Sequence, residues 1–321
     1  MQPLLSHALS VVVPVYRNAG SIAPLLEALE RLARDVDGGL EAVFVVDGSP
    51  DESHALLRAA LPAAGFSAQL VELTRNFGAF PAIRVGLERA RGRVIAVMAA
   101  DLQEPPALAL GFLDALRDGR ADVGFGVRDG RDDPPVGKLL STLFWSLYRR
   151  LVMPDIPRGG VDVFAVTADF RDRLVALREA NTSLLAQLFW LGGRRVFLPY
   201  ARQRRPREYG RSAWTLRKRL KYFSDSVFAF SDLPVRILFL AGALALATAT
   251  LLATVVVLAR VSGWVTVPGY ATTVLAILFF GAINTLGLGD VGSYAWRAFE
   301  NTKARPLALV HSEETFEERS P

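Results

Sequence analysis

No cysteine occurs among the 321 residues. That excludes a thiolate nucleophile, a cysteine-ligated metal and any disulfide, while saying little about compartment. Histidine is nearly as scarce, with three residues, none inside the motifs considered below. Glycine patterns that cradle phosphate are missing where they would be needed. The first β-rich run leads into "VPVYRNAGS", not into G-x-G-x-x-G, and the phosphate loop G-x-x-x-x-G-K-[ST] is absent. A phosphorylated ligand would therefore have to be held by cationic side chains and a metal. The first apolar run, "ALSVVVPVY", is too short for a secretory signal, has no basic flank and is broken by Pro14, so none is expected.

What the chain has in excess is apolar residues, 51% of the total, and they are unevenly spread. Ile237 to Ala259 carries no charge, and Tyr270 to Leu288 is uncharged as well. At about 1.5 Å per residue each run is long enough to cross a hydrocarbon layer of roughly 30 Å. Two buried helices of a soluble core are the competing reading; runs apolar all round and adjacent in sequence favour membrane spans. Positive charge flanks them: "RQRRPREYGRSAWTLRKRLKYF" precedes the first and "WRAFENTKARP" follows the second, while the connector "RVSGWVTVPG" has only Arg260. Positive flanks stay cytoplasmic, so both termini are expected there, in the cytoplasmic (inner) membrane of a cell, with a multi-pass anchor. Trp264 and Tyr270 suit an interfacial belt on the far side. The net charge of +5 gathers near the membrane and fits anionic headgroups, with no nucleic-acid motif beside it. Two amphipathic stretches, "GKLLSTLFWSLYRRLV" and "AWTLRKRLKYFSDSVFAFSDLPVR", read as interfacial helices, although the first packs equally well against a core. The expected organisation is a domain over 1–212, juxtamembrane helices over 213–234, two spans within 235–292 and a cytoplasmic tail over 293–321. Self-association through Gly281, Gly287 and Gly289 of the second span is a further expectation, of a possible homo-oligomer.

The N-terminal domain alternates strands and helices. Leu9–Val15 is a strand; Ile22, Leu25, Leu26, Leu29 and Leu32 share one helical face. "EAVFVVDGS" is a strand ending at Asp47, and a helix spans roughly 53–64. "AQLVELT" is a strand leading to "RNFG". "AFPAIRVGLERARG" is a helix, and "RVIAVMAAD" is a fourth strand ending on Asp101. This alternation predicts an α/β fold with a mostly parallel sheet and helices on both faces. Ligands of such sheets bind at the carboxyl ends of the strands, where Tyr16, Asp47, Arg75 and Asp101 all fall.

Taken in order, "VVVPVYRN", "VVDGSPD", "LTRNFG", "AADLQEPP" and "GVR" resemble glycosyltransferase family 2, with its GT-A (Rossmann-like) fold. The nearer likeness is to polyprenyl-phosphate glycosyltransferases of the dolichyl-phosphate mannose synthase type and their bacterial undecaprenyl-phosphate branch, and "GDVGSYAWRAFENTKARPL" extends it past the second span. The resemblance implies sugar transfer from a nucleoside-diphosphate-sugar to a polyprenyl phosphate, with inversion and with Mg²⁺ or Mn²⁺. It implies that Pro14, Tyr16, Asn18, Asp47 and Arg75 line the nucleoside pocket, with Asn18 in place of the usual Glu. Asp101 and Gln103 match the metal and diphosphate positions, but Ala99 stands where the first Asp of the pair belongs, and Val46 replaces the first Asp before Gly48. Arg128 approaches phosphate. Asp162 matches a catalytic carboxylate after the acceptor loop. Arg204, Arg207 and Ser212 match a basic loop over the diphosphate, although Ala213 replaces a frequent Lys; Lys138 and Ser141 are weaker acceptor-phosphate candidates.

Plain structural roles compete with several of these. Asp47 also reads as a turn opener, Asp101 as the N-cap of the helix in "PALALGFLDAL", and the arginine-rich run as a lipid-facing surface. Two other functions stay open at this point: a degenerate protein that binds nucleotide-sugar or lipid without turnover, and a processive polysaccharide synthase. Against the latter, there is no Q-x-x-R-W motif.

Overall fold

The computed structural model describes residues 6–128, 146, 149–150, 153–157, 161, 163–179, 182–202, 224–231, 233–262 and 269–318. Strands β1 (His7–Val15), β2 (Leu40–Val46), β3 (Ser67–Leu73) and β4 (Gly92–Val97) alternate with helices α1 (Ile22–Asp35), α2 (Ser53–Ala60) and α3 (Ala79–Arg89). There follow α4 (Ala107–Leu116), β5 (Val123–Arg128), β6 (Val163–Thr167), α5 (Ala168–Ala176), α6 (Leu184–Trp190) and β7 (Arg195–Tyr200). The chain ends with α7 (Leu233–Val261), α8 (Tyr270–Thr302) and β8 (Val310–Phe316). The strands form one sheet in the order β7-β5-β6-β4-β1-β2-β3-β8. Pairs β1/β2, β1/β4, β2/β3 and β5/β7 are parallel; β6 runs antiparallel between β4 and β5.

Period-two side-chain alternation splits the core into two layers. Val11, Val13 and Val15 of β1 face one cluster with Leu25, Leu29, Leu57 and Phe112. Val12 faces the other, with Val43, Val45, Leu87 and Phe170. α1 buries Ile22, Leu25, Leu29 and Leu32 of the expected stripe together with Ala28, while Leu26 is half-buried against the same cluster. Each such fully buried aliphatic side chain is worth about 1.5–3 kcal/mol relative to exposure. α3 lies so close to β1 that a Cβ on Gly86 would come 2.3 Å from Val12 Cγ1. Two buried arginines lock α3 to α5 by capping each other's helix. Arg171 of α5 donates to Leu87 O and Ala90 O at the end of α3, at 3.1 and 2.6 Å. Arg84 of α3 donates to Val175 O and Leu177 O at the end of α5. Carbonyls at a helix C-terminus are the orphan acceptors such cations satisfy.

Two features differ from the sequence expectation. Strand β4 stops at Val97, not at Asp101, with Met98 N still bonded to Val12 O of β1 at 3.0 Å. Residues 293–321, read from sequence as a tail, contain the last turns of α8 and then β8, which pairs antiparallel with β3 from Ala68↔Phe316 to Leu73↔Val310. Glu314 reaches Arg58 on α2 at 2.8 Å, and Glu313 reaches Arg89 on α3 at 3.0 Å. Consecutive glutamates thus tie β8 to helices on opposite faces of the sheet. Within α7, Leu233–Leu252 is long and apolar enough to cross a membrane, with 6% of it buried; it is the one such stretch among the described residues. α8 is longer, 33 residues, and packs on α7 where Gly287 meets Leu238 at 3.1 Å from a would-be Cβ. Gly287 therefore serves contact within the helix pair, whereas Gly281 and Gly289 have open space around them.

Candidate active site

The carboxyl ends of β1, β2, β3 and β4 open on the same edge of the sheet, because those strands run parallel. Pro14 lies inside β1, opposite Val45, and Tyr16 follows the strand half-buried. Asn18 is buried, and its side chain works locally: Oδ1 accepts from Tyr16 N at 3.1 Å and Nδ2 donates to Ser21 Oγ at 3.4 Å. Beside it, Asp51 gathers the loops after β1 and β2. It accepts from Ser49 Oγ at 2.6 Å, Ser53 Oγ at 2.7 Å and Ala19 N at 3.0 Å. Burial pushes the Asp51 carboxyl up, but the hydrogen bonds from Ser49, Ser53 and the Ala19 N–H outweigh it and hold the carboxyl below its ordinary value. Sequence reading passed over Asp51, since an Asp after D-G-S-P looks like one more turn residue.

Asp47 is 2% exposed, and its carboxylate clamps the next strand tip. Oδ1 accepts from Phe77 N at 2.6 Å and Oδ2 from Gly78 N at 2.8 Å, while Asn76 Nδ2 donates to Asp47 O at 3.3 Å. The loop "RNFG" is thereby drawn onto the turn at Gly48. A Cβ there would lie 2.3 Å from Arg75 C, and φ is +55°, so only glycine fits. Arg75 is left exposed, its guanidinium 4.0 Å from the Phe77 ring centroid. The spacing of "DGS" and "RNFG" thus encodes a contact between two loops.

After β4, Leu102 takes φ +53° between the two chemically interesting side chains. Asp101 Oδ1 accepts weakly from Gln103 N at 3.4 Å. Asp101 is not the cap of α4: the N-cap is Pro106, with no side-chain cap bond. Gln103 Oε1 accepts a hydrogen bond from Arg202, two residues past β7. Arg202 is exposed and belongs to the arginine-rich run; sequence reading singled out Arg204 and Arg207 of that run instead. Arg128 ends β5 opposite Tyr200 of β7, so Arg128 and Arg202 both stand at the tips of the β5/β7 pair. Lys138, Ser141, Asp162, Arg204, Arg207 and Ser212 lie outside the described residues. Among the described residues, no group of three or more His, Cys, Asp or Glu is placed to hold a metal. That agrees with Ala99: Asp101 brings one carboxylate, and Gln103 a neutral oxygen already engaged by Arg202.

Two of the three described non-glycine residues with positive φ, Arg17 and Leu102, sit at these tips. Backbone strain concentrated at strand ends is a mark of a functional edge. The same edge is joined to the apolar helices. Val227 is buried in the cluster that Phe77, Phe80, Phe230, Leu233, Ala308 and Val310 pack against. Thr74 N donates to Leu309 O at 2.9 Å. Arg297 of α8 donates to Asp225 at 2.8 Å and stacks 4.9 Å over Phe228. The loop clamped by Asp47 is thus bonded to the linker after α8, and Phe77, Leu233 and Val310 pack against one hydrophobic cluster.

Comparison with known proteins extends over this whole arrangement. A family model described as glycosyl transferase family 2 matches residues 10–175. The glycosyltransferase sll0501 of Synechocystis sp. is 31% identical over 311 residues, which cover 94% of each chain. The undecaprenyl-phosphate 4-deoxy-4-formamido-L-arabinose transferase of Pseudomonas paraeruginosa is 30% identical over 314 residues, covering 97% of this chain and 91% of the relative. The prophage bactoprenol glucosyl transferase homolog of Escherichia coli is 26% identical over 94% of this chain and 98% of its own. At such coverage the likeness includes α7 and α8, not the sheet domain alone.

Proposed function

The chain belongs to glycosyltransferase family 2 and is a glycosyltransferase, and from that premise we propose that it transfers a sugar from a nucleoside-diphosphate-sugar to undecaprenyl phosphate at the cytoplasmic face of the membrane, inverting the anomeric centre. The observation that carries the reading is the strand-tip edge, where Asp101, Gln103, Arg128 and Arg202 stand and where Thr74, just past β3, bonds Leu309 of the linker after α8. A lipid-linked phosphate is presented only at a bilayer surface, so its transferase must open there. Two of the relatives bear names that specify undecaprenyl or bactoprenol carriers.

Chain parity supports a two-span topology. Val310–Phe316 lies in the same sheet as β3. A chain whose segments before and after an apolar region share one sheet crosses the bilayer an even number of times. With α7 as one span, α8 is the other. From Tyr270, a depth of about 30 Å uses roughly 20 residues, which puts Tyr294 and Arg297 just outside the hydrocarbon, beside Phe228 and Asp225. Both termini are then on the side of the sheet domain, the cytoplasmic one by the positive-inside rule.

The acceptor phosphate is already an anion near neutral pH and needs little help from a base. The demanding tasks are to hold two anions together and to stabilise the departing diphosphate. Arg128 and Arg202, at the tips of the β5/β7 pair, are the cations assigned to both tasks in this reading. A divalent cation fits as a partner of the donor: Asp101 and diphosphate oxygens would hold it, with Gln103 near, and when bound it neutralises charge on the leaving group. The test is transfer of radiolabel from a panel of nucleotide-sugars to undecaprenyl phosphate by the purified protein. Asp101→Ala abolishes transfer and Gln103→Ala weakens it; Mn²⁺ binds much more tightly with nucleoside diphosphate present. No transfer from any donor refutes the reading, and equal Mn²⁺ affinity with and without diphosphate refutes the cation's part in it.

A further inference from the structure

The segment that enters α7 and the last turns of α8 are joined side by side. Residues 224–230 are helical. Asp225 and Phe228 share one face of that short helix, as Tyr294 and Arg297 share one face of α8. The two faces mesh. Arg297 Nη2 donates to Asp225 Oδ1 at 2.8 Å, and its Cζ lies 4.9 Å from the centroid of the Phe228 ring. Tyr294 meets the same ring edge-on at 5.4 Å. The charged side chains are largely withdrawn from water, Asp225 15% and Arg297 19% exposed. A pair withdrawn in this way holds its geometry, because removing one partner strands the charge of the other.

Each side of this contact has its own tie to the sheet domain. Next to Asp225, Ser226 is fully buried, and Val227 belongs to the buried cluster that holds Val12, Val43 and Val45 of the sheet. Ser231 Oγ then accepts from Leu233 N at 3.3 Å, where the chain turns into α7. Beyond Arg297, the linker after α8 reaches Leu309, whose carbonyl accepts from Thr74 N at the end of β3 at 2.9 Å. With those ties alone, a helical hairpin could pivot about the line between them. The bond from Arg297 to Asp225 joins the entering segment to the leaving one and closes a triangle, which resists shear. Resting on the acceptor reading above, we propose that Asp225 and Arg297 are positioning residues, which lock α7 and α8 to the sheet domain and so hold the strand-tip edge at one height over the bilayer that contains the acceptor. A lipid phosphate is confined to a thin surface layer, and only enzyme molecules whose edge stands at that layer can take it. Loosening the lock lowers the competent fraction, and the apparent acceptor affinity falls in proportion. Chemistry in the molecules that do engage is unchanged.

The experiment reconstitutes the full chain in vesicles of phosphatidylethanolamine and phosphatidylglycerol, unsubstituted and with Asp225→Asn, Arg297→Gln, or both. Transfer from the nucleotide-sugar that the unsubstituted protein accepts is measured to undecaprenyl phosphate in the bilayer and to geranyl phosphate supplied from solution. Each single variant should raise the KM for undecaprenyl phosphate about tenfold or more, the scale of one charge-assisted hydrogen bond. The kcat, the donor KM and the rate with geranyl phosphate should stay as they are. The double variant should be no worse than the worse single one, because the two side chains act as a unit. Arg297→Lys, which keeps the charge, should recover part of the affinity. An Arg297 that itself held a lipid phosphate would give another pattern: Arg297→Gln alone would raise the KM, and Asp225→Asn would leave or lower it. That pattern overturns the proposal, as do unchanged kinetics, a fall in kcat, or an equal loss with both acceptors. If the unsubstituted protein consumes donor but transfers to neither prenyl phosphate, the acceptor reading itself falls, and this inference with it.

Discussion

Replacing Asp47 separates a clamp from a ligand. Its carboxylate is buried and accepts from Phe77 N and Gly78 N, at 2.6 and 2.8 Å. In Asp47→Asn the volume is kept, but one amide oxygen serves one N–H and the NH₂ group faces the other. A buried donor left without its acceptor costs about 1–3 kcal/mol. Taking about 2 kcal/mol, the melting temperature of a domain of this size drops by roughly 4–8 °C. The loop 74–78 also loosens, so amide exchange in a peptide covering it accelerates while exchange in β1 and β2 does not. Transfer falls because Arg75 and Phe77 lose their place, and the fall persists at saturating donor. The decisive contrast is with a nucleoside ligand. If Asp47→Asn melts like the unsubstituted protein, shows unchanged exchange over 74–78 and loses donor affinity alone, the clamp is the wrong account.

Gly48→Ala puts a methyl group 2.3 Å from Arg75 C at a φ of +55°; it should destabilise the protein at least as much as Asp47→Asn, read by the same melting curves. The absence of cysteine offers a clean background for Glu72→Cys with Ser312→Cys, which face each other across β3 and β8; oxidation of membranes should give an intramolecular disulfide, and failure to form it would put the C-terminal strand elsewhere. Glu41 is buried and accepts from Ser10, Gln69 and Arg91. Burial pushes its carboxyl up, but these bonds, including the Arg91 N–H, hold it below its ordinary value of 4.5. The stability it contributes is therefore present above that value and lost as pH falls through the depressed one; Glu41→Gln should lower the melting temperature at neutral pH and narrow the gap in acid.

The parallel half of the sheet was readable because each strand there is a short apolar run closed by a turn signal, and each helix shows its stripe. The tip of β2 was readable for the same reason, since the strand ends where Asp47 breaks the pattern, whereas the apolar run of Met98, Ala99 and Ala100 hid the end of β4 at Val97. What those residues do was less visible. Asp47 works through backbone N–H groups thirty positions away, and no side-chain pattern marks a main-chain donor. Arg202 was hidden among equivalent arginines, since only the end of β7 decides which one meets Gln103. β8 was missed because "VHSEETF" on its own is polar on both faces. Its glutamates are explained only by Arg58 and Arg89, which are far away in sequence and lie on two different helices.

That strand also sets an order of events in the cell. The ribosome delivers β1 to β7 first, then α7 and α8, and β8 last. Until then the outer edge of β3 is an open row of amide and carbonyl groups, the kind of edge that recruits other chains. The edge can be covered only by a segment that has followed the helical hairpin out of the ribosome. Closing the sheet is thus a report that α7 and α8 have been made, and a chain truncated within the hairpin keeps the strands that carry the site while leaving their edge bare to aggregation.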